Sequence, residues 1–196
     1  MTVNLLITLL ATTGSAVAAE PVASTPASCE SFRPLESETV GDTLWHGVFA
    51  LDSAQSADLE AVAEQAASQV GGIARGRARA RLRERLEAAE CLRLADDGSV
   101  ITIESERGLV WRVNRSGTVE TGAVRGTETR TQHAMVSDRT ITITGRGEKG
   151  EGRYELQRSP DGKRLNLDVS LAPKRLAQPI AYTLVYESRT DTPGAR

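Results

Sequence analysis

The C-terminal half of the chain alternates apolar and polar residues with a period of two. Leucine or valine occupies every second position between residues 165 and 171, and polar residues stand at the positions between them. This alternation is typical of a half-buried antiparallel strand. Similar segments predict further strands, which run over residues 45–51, 100–104, 109–114, 118–124, 127–136, 140–144, 153–158 and 180–188.

A helical period separates the first of these strands from the others. Apolar residues recur at spacings of three or four from Ala57 to Leu92, which predicts one long helix. Gly71 and Gly72 each weaken helix propensity by about 1 kcal/mol, so a bend is expected there. The strands after it, about eight in all with short turns between them, favour an antiparallel meander that curls into a barrel or half-barrel. The predicted fold class is α+β, with a curved antiparallel sheet and one long, kinked helix after the first strand.

The first nineteen residues resemble a secretory leader. Residues 5–11 form a short apolar run, and Ala16-Val17-Ala18 supplies the small-x-small pattern that precedes a signal-peptidase cut. The alternatives are a disordered tail or a membrane anchor, but an anchor needs about 18 consecutive apolar residues and polar residues 12–15 interrupt the run. We therefore predict a cleaved signal peptide at 1–19, with cleavage near Ala18 or Ala19, and a periplasmic or secreted bacterial protein.

The remaining chain divides by composition into three parts. Residues 20–43 are rich in Ser, Thr, Pro, Ala and Glu and read as a linker; residues 44–190 form a single β-rich domain, and 191–196 form a tail. Cys29 in the linker and Cys91 near the end of the helix are the two cysteines. An even number of cysteines in an oxidising compartment favours a disulfide between them over two free thiols.

The charge balance excludes one class of partner and leaves another open. A formal net charge of −2 argues against binding to nucleic acid. Six arginines nevertheless occupy every second position from Arg75 to Arg85, and on a helix this spacing distributes them over two flanks. Arg75, Arg79 and Arg83 are candidates for binding an anionic partner such as a lipid phosphate. A solvated helix with arginine–glutamate pairs is the favoured alternative, so membrane contact is not favoured.

The sequence lacks several motifs of catalytic or cofactor sites, and one motif that it contains lacks the secondary structure that such a site needs. Gly145-Arg146-Gly147-Glu148-Lys149-Gly150 matches G-x-G-x-x-G, but a strand is predicted after it where a dinucleotide site needs a helix, so we interpret it as a hairpin. His46 and His133 are the only histidines and lack the neighbours of a zinc site. No nucleophile elbow is present. We expect no cofactor, no metal and no catalytic residue, and an enzyme is the third-ranked interpretation.

The start of the first strand resembles a known family motif. Gly47-Val48-Phe49, with Trp45 before it, is similar to the Gly-x-Trp motif of lipocalins, and a secreted meander resembles the lipocalin and calycin group of small-ligand carriers. In lipocalins the main helix follows the barrel, whereas here it follows the first strand. The region from Leu44 to Arg189 also resembles uncharacterised bacterial secreted proteins with an arginine-rich helix; that resemblance implies no activity.

Two hypotheses about function follow. The first is an extracytoplasmic protein that binds a small apolar or amphiphilic molecule between sheet and helix, with a lining of aromatic side chains: Trp45, Phe49, Trp111, Tyr154, Tyr182 and Tyr186. The second is a structural or protein-interaction module of the cell envelope, without enzymatic activity, that uses a strand edge or the arginine helix. A co-purifying molecule would favour the first, and an interior filled by side chains would favour the second.

Overall fold

The structure is a computed structural model that describes residues 29, 32, 45–72, 74–122 and 131–189. The predicted leader at 1–19 and the predicted tail at 191–196 lie outside the described residues. The predicted linker does too, except for Cys29 and Phe32. The division of the chain into leader, linker, domain and tail stays a prediction.

The described residues form one antiparallel sheet of ten strands and two helices. In chain order these elements are β1 (Gly47–Leu51), α1 (Leu59–Ser68), α2 (Ala74–Arg85), β2 (Cys91–Asp96), β3 (Val100–Ser105), β4 (Val110–Asn114), β5 (Val119–Gly122), β6 (Thr131–Val136), β7 (Thr140–Gly147), β8 (Gly150–Arg158), β9 (Arg164–Pro173) and β10 (Ile180–Ser188).

The sheet curls into a nearly closed barrel. Its strand order is β5-β4-β3-β2-β1-β10-β9-β8-β7-β6, so the first strand pairs with both the second and the last. The two edge strands meet at an isolated bridge between Thr118 and His133, and the amide of Ala134 donates to the carbonyl of Gly117 at 3.0 Å. The predicted antiparallel barrel is therefore confirmed in its broad form.

The number of strands and the form of the helix differ from the prediction. The predicted helix extends too far, to Leu92, because Leu86, Ala89 and Leu92 continue a spacing of three, whereas α2 ends at Arg85 and β2 begins at Cys91. The predicted single helix is two short ones, since the chain breaks at Gly71 and Gly72. Gly72 adopts a φ of 63°, a backbone conformation that favours glycine. Among the described residues, no helix is long and apolar enough to cross a membrane.

The inner face of the barrel forms the main hydrophobic core. Residues Leu165, Leu167 and Val169 of β9 are 0%, 8% and 4% exposed, which confirms the predicted alternation of that strand. They pack in one cluster with inner-face residues of the neighbouring strands, among them Leu156 and Leu184. A second, smaller cluster joins the helices to the start of β10 through Ala63, Ala66, Leu86 and Ile180. The helices therefore cover one end of the barrel, which we call the helix end; the opposite end is the closed end.

The glycine-rich motif forms the predicted hairpin. Strands β7 and β8 are joined by a turn at residues 148–149, and Gly147 pairs with Gly150. Gly150 has a φ of 147°, and a Cβ atom there would clash with the carbonyl of Ala172 on β9. Glycine is required at this position because the hairpin and β9 approach each other backbone to backbone.

The predicted disulfide joins Cys29 to Cys91, with a Cα–Cα distance of 5.5 Å. Both cysteines are buried, and Cys91 is the first residue of β2. The ring of Phe32 lies 5.4 Å from the guanidinium carbon of Arg93, also on β2. These two contacts fix part of the predicted linker to the barrel.

Candidate functional site

The barrel brings the six predicted aromatic residues together. Trp45, Phe49, Trp111 and Tyr186 are buried in the main core, and Tyr154 and Tyr182 pack against it with partial exposure. The reason lies in the register, because five of them stand at inward positions of their strands and Trp45 lies two residues before β1. Their role in binding stays a prediction. All six belong to the main core cluster or pack against it, and we call this part of the core the aromatic interior.

One ring contact joins the two halves of the sheet across this interior. The rings of Trp111 on β4 and Tyr154 on β8 have centroids 5.1 Å apart and planes tilted by 50°. Tilted aromatic pairs at this distance are favourable beyond the area they bury. The contact joins the buried ring of Trp111 to the partly exposed ring of Tyr154.

Two inner-face residues near the helices are less buried than those at the closed end. At the closed end Phe49, Ile141 and Leu156 are 0% exposed. At the helix end Leu171 and Tyr182, which contact both core clusters, are only partly buried. Ile180, also at the helix end, is 4% exposed because it packs in the second cluster beneath the helices.

Glycine allows close packing at this helix end. Gly152 on β8 lies between Gly145 on β7 and Leu171 on β9 in the strand register. A Cβ atom at Gly152 would lie 3.3 Å from Cδ2 of Leu171 and 3.5 Å from Cε2 of Tyr154. A larger residue at this position would therefore crowd both side chains.

The tyrosines of the interior are neutral hydrogen-bonding groups. Burial, together with the neighbouring Tyr154, raises the pKa of Tyr182 to about 12. Burial also raises the pKa of Tyr186, whose hydroxyl donates to the carbonyl of Ala89 at 3.1 Å. Tyr186 therefore ties the segment after α2 to the barrel, while Tyr182 provides a protonated hydroxyl near the helix end.

Among the buried donors without a hydrogen-bond partner in the described residues, two belong to side chains in the main core or against it. One is Nε1 of Trp45, whose side chain is almost fully buried, and the other is Nη1 of Arg158. The guanidinium of Arg158 lies over the ring of Phe49 at 5.3 Å, and its Nε and Nη2 donate to the carbonyl of Gly162 at 3.3 and 3.1 Å. Burial lowers the pKa of Arg158, because desolvation penalises the charged form. Sequence patterns did not single out Arg158, which stands at an inward position of β8.

The arginines of α2 divide into two stripes at i, i+4 and i+8. Arg75, Arg79 and Arg83 face α1 and form ion pairs with its carboxylates. Arg79 contacts Glu60 at 2.8 Å and Glu64 at 3.0 Å. The role of these three arginines towards an anionic partner stays a prediction. The alternative pairing within α2, which the sequence suggested, is replaced by pairing between the helices.

Removing one carboxylate is expected to loosen α2. Glu60 contacts both Arg79 and Arg83, and α2 itself contains no buried residue. In Glu60→Gln, amide hydrogens of residues 74–85 should exchange severalfold faster, as measured by mass spectrometry, since exposed ion pairs contribute modestly. Glu84→Gln is the control, because Glu84 is exposed and has no ion pair within the described residues. Equal acceleration in both variants would contradict the role of the pairs.

The attachment of α2 to α1 through Glu60 should depend on pH. Hydrogen bonds from Arg83 and Arg79 lower the pKa of Glu60 from its ordinary value of 4.5. The stabilisation is fully present above pH 4.5 and is lost as the pH falls through the lower pKa of the folded protein. The exchange difference between the native chain and Glu60→Gln should therefore disappear in acid.

The described residues contain no group of three or more His, Cys, Asp or Glu side chains that could hold a metal ion. His133 is exposed on β6, and His46 is partly buried just before β1. Two open depressions, of about 420 and 640 Å³, follow polar side chains such as Arg153, Ser170 and Thr144 on the outer face. They are separate from the closed end of the aromatic interior.

Comparisons with known proteins give only a structural likeness. No protein-family model matches the chain, and no curated protein matches it. The chain is similar to the crystal structure of the fluorescent protein UnaG in its N57A mutant, with a TM-score of 0.40 and 11% identity over 76% of this chain and 98% of that chain. Wild-type UnaG gives a TM-score of 0.38 and 10% identity over 73% and 96%. The geometry described above, and not this likeness, is the basis of the function proposed below.

Proposed function

We propose that this protein binds a small apolar or amphiphilic molecule inside the barrel, at the helix end, in the periplasm or outside the cell. The observation that supports this most is the partial exposure of two inner-face residues near the helices. Phe49 and its neighbours seal the closed end, whereas Leu171 and Tyr182 remain partly exposed beneath the helices. Binding sites for small molecules are concave, mostly apolar and contain a few placed polar groups.

The polar groups of the interior favour an amphiphile over a pure hydrocarbon. The protonated hydroxyl of Tyr182 can donate a hydrogen bond to a ligand oxygen. The buried donors Nε1 of Trp45 and Nη1 of Arg158 lie towards the closed end and are not part of this site.

Such a molecule would enter the barrel at the end that the helices cover. Helix α2 is attached through the ion pairs of Arg75, Arg79 and Arg83 and through the partly buried Leu82, and no residue within it is fully buried. Elements with few buried apolar contacts open at low free-energy cost. Transient displacement of α2 would widen access to the interior beside Tyr182 without disturbing the sheet.

The proposed location rests on the leader-like residues 1–19 and on the disulfide between Cys29 and Cys91. Disulfides persist in oxidising compartments. The full chain should be expressed in a bacterial host, and the mass of the periplasmic protein should correspond to cleavage near Ala18 or Ala19. Retention of the uncleaved chain in the cytoplasm would contradict the location.

The binding proposal predicts that a larger side chain at position 152 weakens ligand affinity. In Gly152→Val the new side chain would press against Leu171 and Tyr154, and overpacking of about 1–3 kcal/mol should lower the affinity about tenfold or more. The probe is N-phenyl-1-naphthylamine, followed by its fluorescence, after native mass spectrometry has tested the purified protein for a co-purified molecule. Ser170→Val, which changes the outer face of β9, is the control and should bind like the native chain.

The opposite result would favour an envelope module. The Trp111–Tyr154 contact already fills part of the interior, and this is the observation that supports the alternative. If the native chain binds neither the probe nor any co-purified molecule, the binding proposal is wrong. Thermal melts of both variants would separate a lost site from a lost fold.

A further inference from the structure

We propose that the outward stripe of α2, formed by Arg77, Arg81 and Arg85, docks this protein on an anionic phospholipid surface. All three residues are exposed, and none has an ion pair within the part of the chain that the structure describes. This stripe is distinct from the arginines that pair with α1. The inference goes beyond ligand binding and does not depend on it.

The two stripes of α2 have different electrostatic surroundings. Arg75, Arg79 and Arg83 are neutralised by Glu60 and Glu64, so they are not available to a partner without breaking ion pairs. The outward stripe has no ion pair within the described residues, and the exposed Glu84 is the one carboxylate of α2 beside it. The sequence spacing alone could not distinguish the two sets, because the carboxylates belong to another helix.

The outward face is shaped for contact with a plane of phosphate groups. At a rise of about 1.5 Å per residue, the stripe extends over about 12 Å along the helix. Ala80, between Arg77 and Arg81, is exposed and small, whereas Glu84, between Arg81 and Arg85, is an exposed carboxylate that leaves the face with a net positive charge. Guanidinium groups bind phosphate oxygens with two parallel hydrogen bonds, and each arginine near an anionic surface adds to the attraction.

The chemistry of the face favours lipid over an acidic protein. The centres of protein–protein interfaces are enriched in aromatic and apolar residues. Helix α2 has no aromatic residue, and Met135 on β6 is the large apolar residue that the described chain exposes. A contact made by charge alone, with no apolar centre, fits the dense charge of an anionic bilayer surface better.

The test is co-sedimentation of the full mature protein with vesicles of phosphatidylglycerol and phosphatidylcholine, at low and high salt. The native chain should bind these vesicles and not pure phosphatidylcholine, and salt should release it because exposed charges are screened. Replacing Arg77, Arg81 and Arg85 with glutamine should lower the partition coefficient roughly a hundredfold. The control, with the same change of charge, replaces Arg112, Arg139 and Arg189, which are exposed on the barrel; it should bind like the native chain.

Several outcomes would overturn the proposal. These are absence of binding to the anionic vesicles at low salt, equal binding to neutral vesicles, and equal losses in the two triple variants, which would indicate net charge alone. Binding to polyglutamate without binding to vesicles would indicate an acidic protein partner instead. Circular dichroism of both variants shows whether the fold is retained. A failure of probe binding in the experiment on Gly152 would leave this result unaffected.

Discussion

Replacing Leu167 with alanine is expected to destabilise the barrel by about 2–5 kcal/mol. Leu167 lies at the centre of β9, opposite Leu156 on β8 and Leu184 on β10, and is 8% exposed. Alanine would remove buried contacts on both sides and leave a cavity that the rigid sheet cannot fill. Such a loss is a large fraction of the stability of a single domain, which is about 5–15 kcal/mol.

The matched control is the next residue in the chain. Asn166 faces the other side of β9, is partly exposed, and has no hydrogen-bond partner for its Oδ1 among the described residues. Asn166→Ala should therefore change the free energy of unfolding by no more than about 0.5 kcal/mol. Urea denaturation of both variants provides the comparison. Equal losses, or a larger loss for Asn166→Ala, would mean that the inner and outer faces of β9 are assigned wrongly.

Removal of the disulfide is expected to have a similarly large effect. Cys29 and Cys91 are 62 residues apart, and closing a loop of that length lowers the entropy of the unfolded chain by an amount worth about 4 kcal/mol. Alanine at both positions should lower the free energy of unfolding by about that much. The reduced native chain should show a comparable loss, because both treatments open the same loop.

Thiol titration provides an independent check of this prediction. The denatured but unreduced protein should contain almost no free thiol, since both cysteines are paired in the folded protein. Two free thiols per chain would refute the disulfide. Unchanged stability in the double alanine variant would refute the stabilising effect while leaving the bond itself intact.

Alternation identified most of the sheet from the sequence. In β9 and β10 the apolar residues stand at every second position, and a single buried face leaves little freedom of register. The aromatic candidates followed from the same alternation, because Tyr182 and Tyr186 share the face of Leu184. The predicted end of the helix was wrong because Leu92 continues the spacing of Leu86 and Ala89 and also begins the alternation of β2, and only pairing with β1 and β3 decides between the two.

Other features depend on contacts that are distant in the sequence. Asp58 caps α1, with its carboxylate accepting from the amides of Glu60 and Ala61. Ser56, two residues earlier, binds the backbone of Val185 on β10. The ion pairs of α2 and the inward position of Arg158 likewise exist only once the barrel has formed. Local spacing contains no information about them.

The pairing of β1 with β10 also has a consequence for the order of folding. Because the first strand bonds to the last, the ring closes only after Ile180–Ser188 has been synthesised. Until then one edge of β1 and one edge of β9 are unpaired, and unpaired strand edges are templates for aggregation. A contact between the two ends of the chain also raises the contact order, which slows folding. A chain with this topology therefore depends on protection of its open edges while it is being made.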